Sequence, residues 1–140
     1  MSTVKEPGFY IVGRDAAPEY LRVAGDMVEA ALDADPGKYR PEDIANLVLS
    51  GDQVMWLALR DGLEGVMLTR LIQYPTGQIG ALVFGAAGKD SRYWSGEPFQ
   101  RIEDWARAGG ATFMEFYGRR GWEKKMGPEW RRRAFMRKEL

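Results

Sequence analysis

The chain has 140 residues, of which 45% are hydrophobic and 12% aromatic, and its 20 basic residues balance its 20 acidic ones. This length and composition predict one domain, residues 1–140, with a substantial core. The absence of cysteine and histidine excludes disulfides, thiolate nucleophiles, Ser-His dyads and metal sites built from sulfur or imidazole, so no metal is expected. No apolar run is long enough to span a membrane and no secretory signal opens the chain, so we expect an intracellular protein without membrane contacts.

The first third of the chain predicts a strand followed by two helices. Glycines bound the apolar run Gly8–Gly13, which is typical of a short strand. Asp15 can cap the next helix, Pro18–Leu32, whose apolar residues recur on one face. A second helix begins around Pro41, with acidic residues in its first turn, and ends at Gly51.

The middle of the chain predicts three sequential strands. They are Val54–Leu59, Gly65–Gln73 and Gln78–Phe84. Asp61-Gly62 is a strong signal for a hairpin turn between the first two, and Tyr74–Gly77 turns the chain again. Strands joined by such tight turns should be antiparallel.

The last third predicts helix, strand, helix and a final strand. Their ranges are Glu97–Ala108, Ala111–Tyr117, Arg119–Met126 and Trp130–Lys138. The complete order predicts an α/β (α+β) fold with a mixed, largely antiparallel sheet and helices on both of its faces. Three aromatic side chains, Trp56, Trp105 and Phe113, are predicted to lie in the core.

Charge is unevenly distributed along the chain. Residues 15–64 contain eleven acidic residues against four basic ones, a net of −7, and residues 119–138 contain nine basic residues against two acidic ones, a net of +7. Two interpretations stay open: the two regions neutralise each other within the fold, or the basic end binds an anionic partner. For the second, we expect an accessible positive surface formed by Arg119, Arg120, Lys124, Arg131 and Arg133. Its partner would be another protein or a second copy of the chain, with nucleic acid as the weaker option.

The element order and three phrases of the sequence resemble the GNAT superfamily of acyl-CoA-dependent N-acetyltransferases. The phrases are Gly51–Leu59 (GDQVMWLAL), Ile102–Gly110 (IEDWARAGG) and Gly118–Trp122 (GRRGW). The nearest variety is the small GNAT-like proteins of tailed bacteriophages and prophages. This resemblance implies a location in the bacterial host cytoplasm or within a phage particle.

The resemblance also implies a site for acetyl-CoA. It places Phe84 and Gly85 against pantetheine, and it aligns the phosphate-binding loop with the segment from Gly88 to Gly96. That segment departs from the family pattern because its glycines are not closely spaced and because it contains Asp90, Tyr93 and Trp94. The side chains that could hold a phosphate there are Lys89, Ser91 and Arg92. An ordinary surface loop is the alternative, and weak or no binding of acetyl-CoA is expected.

The proton-transferring residues of the family are also altered. Trp122 stands where many members have an acidic tyrosine, so a packed anchor is the simpler role for it, and Tyr117 is the remaining candidate acid. Glu115 is the one candidate base, because the predicted fourth strand contains no carboxylate. A salt bridge from Glu115 to Arg119 or Arg120 is the alternative.

Two functions follow from these departures. The first is a phage-type GNAT-like domain with a degenerate CoA site that serves as a binding or structural component, for example of a virion. The second is a working N-acetyltransferase that modifies an amine on a protein or small molecule, since catalysis by positioning tolerates missing acids and bases. The three departures at one site favour the first.

Overall fold

The computed structural model describes residues 8–89, 96–118 and 120–140. Its strands are β1 (Gly8–Ile11), β2 (Val54–Leu59), β3 (Leu63–Gln73), β4 (Ile79–Gly88) and β5 (Ala111–Phe116). Its helices are α1 (Ala17–Leu32), α2 (Pro41–Ser50), α3 (Glu97–Ala108) and the short α4 (Arg120–Glu123). In the described ranges, no helix combines the length and apolar character that crossing a membrane requires.

The five strands form one sheet in the order in which they occur in the chain. The pairs β1–β2, β2–β3 and β3–β4 are antiparallel, as the tight turns predict, whereas β4 and β5 are parallel because α3 connects them. Gly62, with φ of 96°, forms the turn between β2 and β3, where glycine avoids the strain that a side chain would suffer. The mixed, largely antiparallel sheet is therefore confirmed.

Helices α1 and α2 cover one face of the sheet. Buried residues of α1 recur at helical spacing, including Leu21, Ala24 and Val28, and they pack in one cluster with Met55 and Leu68 of the sheet. Helix α2 begins with proline at its first position and ends at Gly51, whose φ is 90°. Both terminal residues fit their conformations without strain, so this helix has the limits that the sequence predicts.

Helix α3 covers the opposite face. Its buried Ile102 joins Met67 and Val83 in a second cluster, together with a stack of aromatic rings. Phe9 and Trp56 lie parallel with centroids 5.3 Å apart, and Trp105 meets Trp56 edge-on at 5.8 Å. These contacts confirm helices on both faces and Trp56 in the core, while Trp105 is half-buried at its margin.

Several boundaries and one cap differ from the predictions. Strand β1 ends at Ile11, and Asp15 lies in a 3-10 turn instead of capping α1, whose preceding residue Ala16 makes no side-chain cap. Strand β4 extends four residues beyond Phe84 because its pairing with β3 continues to Gly88. The helix predicted over Arg119–Met126 is described only as the single turn of α4.

Two predictions near the end of the chain are wrong. Phe113 is 36% exposed, because it lies on the last strand of the sheet, outside the two buried clusters, where its ring meets that of Tyr74 at 5.9 Å. Residues Trp130–Lys138 form no strand, and all but Trp130 are exposed. Alternation gives a segment two faces, but a strand also needs a neighbouring backbone to bond with, and this segment does not pair with β5.

Candidate active site at the opening between β4 and β5

The parallel strands β4 and β5 separate halfway along β4. Their pairing ends at Val83 and Phe116, followed by one further hydrogen bond in which the Tyr117 N–H donates to the Val83 carbonyl at 2.9 Å. In the described part of the chain, β4 continues to Gly88 with β3 as its one partner. The backbone of β4 beyond Val83 therefore borders an opening on its β5 side.

A bulge coincides with this separation. Leu68 pairs with Gly85 and the next β3 residue, Thr69, pairs with Val83, so Phe84 is an extra residue without a partner in β3. A Cβ atom built at Gly85 would lie 3.2 Å from Leu68 Cδ1 and 3.4 Å from the Ala31 carbonyl oxygen. Glycine at this bulge thus lets α1 approach the sheet closely. Phe84 itself is 5% exposed and belongs to the cluster beneath α1.

A cleft of about 920 Å³ lies at the carboxyl end of β4. Gly88 and Lys89 line its β4 side, Trp122 and Lys125 line the side of α4 and the turn after it, and α1 contributes Asp26. Residues that complete the wall are Val23, Met27, Ala30, Asp61, Gly62, Leu63, Ala86, Ala87 and Gly121. The wall thus carries two lysines and two aspartates around a mostly apolar interior.

On the other side of the opening, the connection between α1 and α2 covers Phe84. The Tyr39 ring packs on the Phe84 ring with centroids 5.3 Å apart, and Arg70 Nη1 donates to the Tyr39 hydroxyl at 3.3 Å. Sequence reasoning did not select Tyr39 or Arg70 for the site. The available signal was the positive charge of Arg70 within a largely apolar strand.

Glu115 and Tyr117 line a second, larger groove beside β5. Both are half-buried, and strand alternation directs them to the same face of the sheet as Phe113. The groove has a volume of about 2,100 Å³ and lies between β5 and the tail, which we define as residues 129–140. The two candidate catalytic residues are therefore close to the opening, but they face a different hollow from Lys89.

Trp122 has the packing role that its residue type predicts. Its ring lies 5.4 Å from that of Phe116, and it belongs to the apolar cluster beneath α3. It also lines the cleft at the end of β4. An anchor for α4 and a wall of the cleft are compatible roles for one indole.

The predicted basic surface is placed only in part. Lys124, Arg131 and Arg133 are exposed. The predicted residues Ser91, Arg92 and Arg119 lie outside the described residues, as does the side chain of Arg120. The predicted salt bridge from Glu115 to Arg119 or Arg120 therefore also lies outside them. One basic residue of the tail is neutralised within the fold: Arg137 lies 3.7 Å from Asp35 and donates to the Pro36 carbonyl at 2.5 Å.

Acidic residues do not assemble a metal site in the described ranges. There, no group of three or more Asp or Glu side chains has the geometry to hold a metal ion. The chemistry available near the opening comes from Glu115, Tyr117 and the Tyr39–Arg70 pair, from the lysines and aspartates of the cleft wall, and from the edge of β4 that has no strand partner in the described ranges.

Comparisons with known proteins identify relatives in structure only. No family model and no curated protein matches the sequence. An aminoglycoside acetyltransferase from an uncultured soil metagenomic sample, solved with sisomicin, matches 95% of both chains with a TM-score of 0.68 at 9% identity. A ribosomal-protein-alanine N-acetyltransferase from Brucella melitensis biovar Abortus matches 95% of this chain and 96% of its own, with a TM-score of 0.62 at 14% identity.

A third structure contains a cofactor. It is a predicted acetyltransferase from Clostridium acetobutylicum with acetyl-CoA, matching 91% of this chain and 95% of its own with a TM-score of 0.57 at 11% identity. Identities this low show a shared fold and leave the activity open. Over nearly its whole length, the chain therefore has the GNAT fold of these acetyltransferases.

Proposed function

We propose that this protein is an acyl-CoA-dependent N-acetyltransferase. The observation that carries the proposal is the separation of β4 and β5 after Val83, at a bulge, within a fold shared with acetyltransferases. Where β5 leaves β4, near the end of the sheet, the β4 backbone has groups without a strand partner in the described ranges, and such groups need a partner. A ligand with amide groups of its own would supply one.

The residues at the opening fit the pantetheine arm of acetyl-CoA. The β4 backbone from Phe84 to Gly88 would face that arm, and the cleft of about 920 Å³ is within the size range of ligand pockets. Lys89 and Lys125 would attract the phosphates, although Asp26 and Asp61 reduce the net positive charge there. Bound acetyl-CoA would supply an acetyl group as a thioester.

Glu115 and Tyr117 are the residues that would act on the acceptor. Glu115 pairs in register with Leu82, one residue before the strands separate, and Tyr117 follows directly after the last pair. A half-buried carboxylate at this point can accept a proton from an ammonium group, and a tyrosine hydroxyl can donate one. The rest of the rate enhancement would come from positioning the amine and the thioester.

Calorimetric titration with acetyl-CoA tests the proposal first. We expect a dissociation constant in the range of about 1 μM to 1 mM, which is where substrates of enzymes ordinarily bind. Charge reversal of Lys89 and Lys125 should weaken binding by roughly tenfold or more, since the cleft would then carry four acidic groups. The matched control is Lys138→Glu, which reverses an exposed charge outside the cleft.

The same titration decides between the two functions that the sequence left open. The sequence predicts weak or no binding of acetyl-CoA, because the segment Gly88–Gly96 departs from the family pattern. Most of that segment lies outside the described residues. No detectable binding would favour a non-catalytic binding component and overturn the proposal. The structural matches give no support to a role in a phage particle, since the three proteins above are two acetyltransferases and a predicted acetyltransferase.

Transfer is tested separately with a panel of amines. The panel should contain an aminoglycoside and peptides with a free amino terminus, because the matched structures include acetyltransferases of both kinds. Mass spectrometry of the products would detect acetylation. Tight cofactor binding without transfer to any member would leave the acceptor unidentified and direct the search to the groove beside β5.

A further inference from the structure

We propose that the outer edge of β5 binds an extended, acidic polypeptide segment as an added strand. The first observation is the place of β5 at one end of the sheet. In the described part of the chain it pairs with β4 and with no other strand. A six-residue edge strand presents a row of N–H and C=O groups to which another backbone can bond.

The direction of these groups follows from one hydrogen bond. The Tyr117 N–H points toward β4, where it donates to Val83. Because backbone groups alternate along a strand, the N–H of Glu115 points the same way, while those of Met114 and Phe116 point to the outer edge. These two amides are the donors that an added strand would engage.

The space beside this edge is large enough for a strand. The groove of about 2,100 Å³ runs along the whole of β5, with the tail forming its far wall. Besides the contacts of Arg137, two ring contacts hold the tail: the Trp130 ring meets Phe99 of α3 at 5.9 Å, and the Phe135 ring meets Tyr117 at 5.9 Å. The residues between these anchors line the groove without pairing with β5.

The charge of the tail, which has five basic residues against Glu129 and Glu139, favours an acidic polypeptide. Exposed Arg131 and Arg133 line the groove beside the backbone edge. Acidic side chains of an added strand would be matched by these guanidinium groups, which bind carboxylates well. The tail of a second copy fits this groove less well, because that tail is itself basic and is already held by Asp35 through Arg137.

Glu115 and Tyr117 line the same groove, so we infer that the bound polypeptide is also the acceptor of the acetyl group. This last step alone rests on the proposed function. Addition of a strand at β5 requires no cofactor and can be measured in its absence.

The probe is a six-residue peptide with a free amino terminus, alternating glutamate and valine, and a fluorescein at its carboxyl end. Fluorescence anisotropy should show binding that weakens as the salt concentration rises. A peptide methylated at alternate backbone nitrogens should bind about tenfold more weakly or worse, because it cannot form the ladder. A peptide with lysine in place of glutamate should also lose affinity.

Charge reversal on the protein tests the role of the tail. The double exchange Arg131→Glu and Arg133→Glu should weaken binding of the acidic peptide, whereas Arg60→Glu in the β2–β3 turn should not.

Amide hydrogen exchange observed by NMR then locates the site. Peptide binding should slow exchange at Met114 and Phe116, while Tyr117 is already bonded and should change less. Equal affinity for the methylated peptide, or binding without slower exchange at these two amides, would overturn the proposal. Slow exchange there without peptide, in a dimer that forms with concentration, would assign the edge to a second copy and overturn it as well.

Adding acetyl-CoA separates the two proposals. Acetylation of the peptide together with slowed exchange supports both. If acetyl-CoA binds and another amine is acetylated while the bound peptide is not, the surface is supported and its role for the acceptor is overturned.

Discussion

The indole N–H of Trp56 donates to the hydroxyl of Thr69 at 2.9 Å, and both side chains are almost completely buried. The two residues lie on neighbouring strands β2 and β3 beneath α3, where the ring of Trp105 also packs on Trp56. A buried indole needs an acceptor for its N–H, and in this core the acceptor is the hydroxyl of an equally buried threonine.

Replacement of Thr69 by valine should destabilise the protein. The shape of the side chain is kept, but the indole N–H loses its acceptor, which costs about 1–3 kcal/mol in a buried site. Urea unfolding followed by tryptophan fluorescence measures the effect. Thr112→Val on the exposed part of β5 is the matched control and should change the free energy of unfolding by much less. Equal stability of both variants would show that water replaces the lost acceptor.

The close approach of α1 at Gly85 gives a second prediction. Gly85→Val should lower the free energy of unfolding by about 1–3 kcal/mol, because Leu68 and the Ala31 carbonyl occupy the space that the side chain needs. Gly13→Val is the control, since no atom outside its chain neighbours lies within 4 Å of a Cβ built there. Thermal unfolding measures both. An unchanged melting temperature for Gly85→Val would mean that α1 can move away from the sheet.

The start of α2 should make stability depend on acidic pH. A hydrogen bond from the Arg40 side chain, with another from the Arg40 N–H at 2.9 Å, lowers the pKa of Asp43 from its ordinary value of 3.8. Asp43 therefore stabilises the fold above pH 3.8, and this contribution is lost as the pH falls through its lowered pKa. Asp43→Asn should lower the melting temperature slightly at neutral pH, and the difference from the unaltered protein should vanish in acid. Glu42→Gln is the control. A difference that persists unchanged in acid would contradict the role of the carboxylate.

The role of Glu115 can be separated from binding of the cofactor. If it removes a proton from the acceptor, Glu115→Gln should lower kcat/KM by roughly 10² or more at neutral pH while the dissociation constant of acetyl-CoA stays the same. Glu103→Gln changes another carboxylate of the same groove, on α3, and should have little effect. Full activity of Glu115→Gln would leave positioning as the main source of catalysis.

Most of the local structure could be read from the sequence. The limits of α2 follow from Pro41 and Gly51, and the β2–β3 hairpin follows from Asp61-Gly62, because each depends on backbone preferences of a few adjacent residues. The burial of Trp56 follows from its place in an apolar strand. The resemblance of the sequence to acetyltransferases predicted how these elements combine into one fold.

Features that depend on distant partners were decided by the tertiary structure. The tail has the alternation of a strand but no backbone to pair with, and Phe113 is apolar but lies on the last strand of the sheet, where little covers it. The opening begins after Val83 of β4 and Phe116 of β5, two residues that α3 separates in the sequence. No local sequence pattern determines where the pairing of two such parallel strands ends. Local conformational preferences therefore determined the helices and turns, whereas the meeting of distant backbones determined the candidate site.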